Sequence, residues 1–295
     1  MGVGAMGLQF ALLARRRGVS FTRTLMIGRQ LHYVDTWWVK TLFERFGFPI
    51  SEAEAERSVV NPYAEGVYRA LGAEVTDSLD ASDYEHANVI HDLNTPIPRR
   101  LRQRYTCVVD HGSLEHVFNF PVALKNAIDM IEIGGHFIAV TPANNFMGHG
   151  FYQLSPELYF NFLGRNGFAD IQVYIVPYRW LPRLFRVTDP RAIGGRVELC
   201  NSEPVQLGVI ARKAEHLHDM VIPMQSDYQN SFWQGRDVDR SSASQADMDP
   251  KLAAAIGELR TRIASLAEWP ETISPHFTAG LENSLHYQPV DPAID

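Results

Sequence analysis

Two short, unbroken apolar runs, residues 106–109 and 137–140, are separated by one helical segment and by the turn Ile133-Gly134-Gly135. A strand buried on both faces reads as such a run, and two of them joined through a helix pair in parallel by a crossover. This constrains the chain more than any other feature, because a parallel sheet needs helices on both faces. The first run ends in Asp110-His111-Gly112 and is followed by Leu114-Glu115-His116-Val117. After the second, the chain passes Ser155-Pro156-Glu157 into a helix that closes on Asn166-Gly167-Phe168.

The same alternation extends in both directions. Upstream, residues 24–27 form a β-branched and apolar run ending at Gly28-Arg29-Gln30, as a first parallel strand and its turn would. Residues 31–71 read as mostly helical, with Trp37, Trp38, Val39, Leu42 and Phe43 on an apolar face and Pro62 as an interruption. Strands follow at 74–79, ending in Asp80-Ala81-Ser82, and at 88–91, ending in Asp92-Leu93-Asn94 before Pro96 and Pro98. Residues 171–176 and 205–211 supply two late strands. Strands separated by helical segments make an α/β fold with an open, doubly wound, mostly parallel sheet. No internal repeat is visible.

Length and composition bound the rest. With 295 residues, 45% of them hydrophobic, the chain can bury one large core with an appendage. A net charge of -7 argues against nucleic acid as partner, since phosphate backbones are held by clustered Lys and Arg. The basic clusters Arg15-Arg16-Arg17 and residues 99–104 read as solvated helix faces. Two distant cysteines, Cys107 and Cys200, give neither a disulfide framework nor a metal-ligand spacing, and point to a reducing cytoplasm. At the amino end, Gly2-Val3-Gly4-Ala5-Met6-Gly7 matches G-x-G-x-x-G, but a dinucleotide site needs a strand before it. The apolar residues 10–13 have their arginines on the wrong side for a secretory signal and are too few to span a bilayer. Met6 breaks the myristoylation pattern after Gly2. Residues 1–21 therefore read as a capping amphipathic helix, 22–213 as the main domain with a helical insertion at 31–71, and 214–295 as an extension packed on it. Within that extension 241–249 is polar, 250–269 has a helical period, and Gln225-Ser226-Asp227-Tyr228 with Trp233 could cover a pocket or meet a second copy of the chain.

The block from Tyr105 to Phe168, with its Asp110 strand end, "LEHV" segment and Gly134-Gly135 turn, resembles the second half of class I S-adenosylmethionine (SAM)-dependent methyltransferases. The resemblance covers residues 22–213 and implies a Rossmann-like methyltransferase fold, seven strands with a final antiparallel hairpin, and SAM as cofactor. In that family the acid after the second strand bonds the ribose hydroxyls and the acid after the third reaches the adenine amine. By position these are Asp80 and Asp92, with Leu93 packing on the ring and Asp110 carried into the active site. A carboxylate accepts from both vicinal hydroxyls, which makes the assignment chemically sensible; each acid alone could equally cap its turn. Of the family's glycine-rich loop only Gly28 is present, followed by Arg29 and Gln30. Arg29 is expected to pair with the cofactor carboxylate.

For the acceptor, the polar set is His111, Glu115, His116, His149, Tyr152, Asn144 and Asn145. Methyl transfer to oxygen needs a base at the acceptor hydroxyl and accurate alignment, and a neutral imidazole suits the first need. His111 is the expected base, with Glu115 and His149 orienting it or binding substrate and Asn144, Asn145 and Tyr152 contacting the acceptor. His116 reads as a helix residue. Gly148 and Gly150 around His149 suggest a loop able to close. No spacing fixes a metal, and none is assigned. The expected function is methyl transfer from SAM to a small polar or sugar-like acceptor, with no membrane span and an open question of self-association. Two alternatives remain: a methyltransferase-fold binding or assembly protein without activity, suggested by the single-glycine loop, and a hydrolase or lyase reusing the pocket, which no G-x-S-x-G motif supports.

Overall fold

The computed structural model describes residues 2–177, 184–193, 195–226, 228 and 287–290. The amino-terminal part comprises β1 (Gly2–Val3), α1 (Ala5–Arg16), β2 (Arg23–Ile27) and β3 (Leu31–His32). Helices α2 (Thr36–Arg45), α3 (Glu52–Val59) and α4 (Glu65–Ala70) follow, then β4 (Val75–Asp80), β5 (Val89–Ile90) and β6 (Tyr105–Asp110). The second half contains α5 (Phe120–Asp129), β7 (Ile131–Pro142), α6 (Pro156–Arg165), β8 (Phe168–Pro177) and β9 (Leu184–Val187). It closes with α7 (Pro190–Ile193), β10 (Val205–Lys213) and β11 (Tyr287–Val290).

The main sheet runs β11-β9-β8-β10-β7-β6-β2-β4-β5. The pairs from β7 to β5 are all parallel, and β10 lies antiparallel between β7 and β8. The seven strands read from the sequence are all present, and numbered by themselves along the chain they run 3-2-1-4-5-7-6. The total is nine, not seven, because β9 and β11 continue the sheet past β8 in antiparallel register. A bare β8 edge would expose a row of unpaired backbone groups, and the two short strands occupy that position.

Period-two alternation places successive residues of each strand on opposite faces. Val108, Phe137 and Ala139 join the core under α5 and α6, whereas Cys107, Val109, Ile138 and Val140 join the core under α1, α2 and α4. Contrary to the expected amphipathic cap, α1 is buried continuously from Gly7 to Ala14. Apart from Gln9 its sequence is apolar all round there, as a helix enclosed on every side requires. Gly208 of β10 makes the close approach possible, since a Cβ there would stand 2.6 Å from the Phe10 ring.

Gly2 and Val3 pair in parallel with Leu31 and His32 in a separate two-stranded ladder, so the amino-terminal glycine motif is not the first turn of the main sheet. The insertion folds as three short helices. Asp35 caps α2 by accepting from Trp38 N, and Ser51 and Glu54 form a reciprocal capping box on α3. After β10, the chain returns along α6, where Glu157 accepts from both the backbone and the hydroxyl of Ser226 at 2.7 and 2.8 Å. Asp227, Trp233 and the segments 241–249 and 250–269 lie outside the described residues. Among the described residues no helix is long and apolar enough to cross a membrane.

Candidate functional site

Ligands of open α/β sheets bind beyond the carboxyl ends of the strands, where the winding direction reverses. That reversal lies between β2 and β6, whose ends are level: Ile27 pairs with Asp110 on one side and with Leu79 on the other. Gly28 follows at φ +73, and a Cβ on it would stand 2.9 Å from Ser113 Oγ, so this turn needs glycine for both its conformation and its neighbour. The Ser113 hydroxyl donates to Ile27 O at 2.8 Å and Gly28 N donates to Leu79 O at 2.7 Å, fastening the three strand ends together.

A cavity of about 340 Å³ opens above them, with Gly28, Arg29 and Gln30 on one wall and Asp80, Asp92 and Leu93 on another. Gly112, Ser113, His116 and Val117 close its far end. Five of the six residues expected around the cofactor thus meet in one place. Leu93 is almost fully buried and supplies the apolar surface. Asp80 and Asp92 also make the local turn bonds that capping predicts: Asp80 accepts from Ser82 N at 3.4 Å, and Asp92 accepts from Asn94 N and Nδ2 at 2.9 and 2.8 Å. Those bonds hold the Asp92 carboxyl below its ordinary range, so it is an anion at neutral pH.

Arg29 departs from expectation. Its guanidinium pairs with Glu65 at 2.8 Å, donates to Glu85 O at 2.8 Å and lies 3.9 Å above the Tyr63 ring. It is therefore drawn toward the insertion and the loop after β4, where Nε and Nη1 bond to protein instead of a cofactor carboxylate. Gln30 is 2% exposed and donates to Ile27 O at 3.2 Å, while its Oε1 has no hydrogen-bond partner among the described residues. A buried acceptor left without a donor is costly, and this one belongs to the cavity wall.

Asp110, the sixth residue, sits behind the wall. Its Oδ1 accepts from Ser113 N at 2.8 Å and Leu114 N at 3.3 Å, shaping the turn that exposes Ser113. Burial raises its pKa, against the opposing effect of these backbone donors. His111 is 4% exposed and packs under α1, where a Cβ on Gly7 would stand 3.0 Å from its ring. It does not line the cavity. Burial pushes its pKa down to about 4, which leaves a neutral but weak base beyond reach of the cleft, so the expected role for His111 is corrected.

The other acceptor-side residues divide into two groups. Glu115 is 0% exposed, with both carboxylate oxygens lacking a hydrogen-bond partner among the described residues. Burial, then the Asp110 charge, raises its pKa. His149 Nε2 lies 3.5 Å and His116 Nε2 3.9 Å from Glu115 Oε1, and the two imidazoles stack edge to face at 5.1 Å. The loop carrying His149 is pinned to this spot because Phe151 N donates to Glu115 O at 2.9 Å. Gly150, at φ +69, allows the contact, since a Cβ there would come within 3.0 Å of that same oxygen. Burial, then His149, lowers the pKa of His116. Beside the group stand Phe118 and Phe151, exposed and edge to face at 5.6 Å. Tyr152 packs on Phe120 and donates its hydroxyl to Phe118 O at 2.6 Å, supporting this rim.

Asn144 and Asn145 do not join the group. Asn144 Nδ2 donates to Leu199 O at 2.8 Å, and Asn145, at φ +65, donates to the carbonyls of Asn201 and Glu203 at 3.0 and 2.9 Å. They tie the loop after β7 to the segment before β10 and line no part of the cavity, which corrects the expected substrate contact. His116 gained the most over the sequence reading, standing both in the cavity wall and in the Glu115 group; the signal was its place beside an acid just after a strand end.

No family model matches the chain, and no curated protein matches it. Solved structures do. A SAM-dependent methyltransferase from Thermotoga maritima is 14% identical over 70% of this chain and 89% of that chain, with a TM-score of 0.35. One from Archaeoglobus fulgidus is 14% identical over 70% and 94%, with a TM-score of 0.37. The N-methyltransferase NodS from Bradyrhizobium japonicum, in complex with S-adenosyl-L-homocysteine, is 12% identical over 69% and 84%, with a TM-score of 0.34. Independently of these distant likenesses, the chain's own strand order, with an antiparallel strand inserted beside the last parallel one, is the α/β Rossmann-like arrangement that the class I methyltransferase resemblance implies.

Proposed function

We propose that the protein is a SAM-dependent methyltransferase acting on a small polar or sugar-like acceptor, with transfer to oxygen. The observation that carries this reading is the cavity itself. Arg29 and Gln30, whose side chains follow the loop's single glycine, line it and do not fill it, and about 340 Å³ remains between them and Asp80, Asp92 and Leu93. That volume falls within the range of small-molecule sites, about 300–1,000 Å³.

The residues fit the cofactor by their chemistry. Asp80 accepts from ribose hydroxyls, Asp92 from the adenine amine, and Leu93 covers the ring. The unpartnered Gln30 Oε1 offers an acceptor to an ammonium group at the Gly28 wall. Bound there, SAM supplies an electrophilic methyl group. The protein's part is to position an acceptor oxygen at the His116 end of the cleft, exclude water with the Phe118 and Phe151 rim, and accept the acceptor's proton. With His111 sealed under α1, we assign that last task to the Glu115, His116 and His149 group.

Calorimetric titration with SAM and S-adenosylhomocysteine tests the cofactor site. Micromolar binding that is lost in Asp80→Ala is expected. No binding up to millimolar ligand, or unchanged affinity in the variant, would overturn the assignment.

A further inference from the structure

We infer that Glu115, His116 and His149 form a site for a single divalent transition-metal ion, with Zn2+ or Co2+ as the best-matched ions. One ligand atom from each residue lies within 4.8 Å of the other two. The spacings from Glu115 Oε1 are 3.5 Å to His149 Nε2 and 3.9 Å to His116 Nε2. An ion with bonds of about 2.0–2.1 Å in tetrahedral geometry spaces its ligand atoms roughly 3.3–3.4 Å apart. The set is therefore open by only a few tenths of an ångström at two edges, and His116, half-exposed on a single 3-10 turn, can rotate to close the third.

The burial of Glu115 favours an ion. Both its oxygens are sealed from water and without a hydrogen-bonded side-chain partner among the described residues, and an ionised carboxyl in that state is unfavourable by several kcal/mol unless it takes up a proton or a cation; the two imidazole nitrogens nearby supply the remaining ligands that a cation needs. A simple Glu115–His149 ion pair would draw Nε2 to within about 2.7–2.9 Å; instead His149 and His116 stand back at distances that leave room between all three. The backbone holds this arrangement deliberately open. Gly150 lets the loop cross directly over Glu115 O, and the Phe151 N bond fixes it there, so that His149 is aimed at the carboxylate from above while His116 comes from the same turn as Glu115.

Two imidazoles and one carboxylate favour borderline ions over Mg2+ and Ca2+, which prefer oxygen sets. Three protein ligands leave a fourth position for water or substrate. Of the three, His116 also belongs to the cavity wall, which links the site to the cleft. The ligand set stands without reference to any reaction. Its role rests on the methyl-transfer reading: an ion held there would lower the pKa of an acceptor hydroxyl bound at the fourth position, so that its proton would pass to solvent water near neutral pH.

The test uses the full chain without a histidine tag, stripped by chelator and titrated with Co2+, followed by visible absorption, and with Zn2+ by calorimetry. No SAM or acceptor is present, so failure here and failure of the cofactor titration are separate results. One equivalent is expected in the unmodified chain and in His218→Ala, a control at an exposed histidine. Glu115→Gln, which preserves shape, and His149→Ala should each lose at least about 100-fold in affinity, because even outer-shell partners are worth about 10–100-fold, with unchanged circular dichroism. No binding by the unmodified chain overturns the inference whatever the variants do. Binding that survives Glu115→Gln, or that disappears in His218→Ala, overturns it equally.

Discussion

Replacing His111 with leucine should make the protein more resistant to acid, relative to the unmodified chain, by an amount that grows as pH falls. The imidazole is 4% exposed beneath α1 and burial alone lowers its pKa from 6.5 to about 4. In the unfolded chain it regains its ordinary value. Between pH 6.5 and 4 the unfolded state therefore binds a proton that the folded state refuses, so this group's contribution is fully favourable above pH 6.5 and is lost as pH falls toward 4. Linkage gives a penalty of about 2 kcal/mol at pH 5, approaching roughly 3 kcal/mol near pH 4, against almost none at pH 7. Leucine carries no such linkage. Urea unfolding of both proteins at pH 7, 6, 5 and 4.5 measures the difference directly, and the comparison cancels the opposing contributions of Asp110 and Glu115, whose raised pKa values favour the fold in acid. A difference in stability that stays constant across the series would refute the reasoning: His111 would then titrate in the folded protein, would not be sealed under α1, and would return as a candidate base.

Two further outcomes follow from the packing. Asn126 is buried in α5 and holds the cavity floor, donating to Leu93 O and Thr95 O at 3.1 and 2.7 Å and accepting from Ile97 N at 3.0 Å. Asn126→Ala should destabilise the protein by about 2–3 kcal/mol, since it leaves buried backbone groups unpaired, and should weaken SAM binding by loosening Leu93; unchanged unfolding would show that the 92–97 loop needs no such anchor. Gly150→Ala combines a left-handed backbone with a 3.0 Å approach to Glu115 O, so it should cost roughly 1–3 kcal/mol and abolish metal uptake, whereas full retention of both would mean that the loop has room to move.

What the sequence revealed, and what it hid, separates along the distance of the interactions involved. The apolar runs that became β2, β6 and β7 announce burial on both faces through their own composition, and residues at or just beyond the ends of β4 and β5, Asp80, Asp92 and Leu93 among them, gather in the cavity because strand ends in a parallel sheet lie side by side. The two-residue β1 and β3 carry too little pattern to be read. The burial of α1 depends on Gly208 in β10, far from the helix in sequence. Asn144 and Asn145 were legible as polar residues beyond a strand end, yet their partners are backbone carbonyls that any residue type supplies. Arg29 does line the cavity, but Glu65 and Tyr63, which turn its guanidinium away, announce nothing in the sequence about that pairing.

Arg29 stands where the glycine-rich loop of a methyltransferase would continue, and it serves as a joint between the insertion helix α4 and the loop after β4. Replacing Arg29 with glycine would widen the approach for a cofactor and, in the same step, remove the ion pair and hydrogen bond that join α4 to the loop after β4. The loop and the insertion are therefore coupled: the side chain that follows the single glycine ties α4, through Glu65, to the rim of the cavity, through Glu85 O.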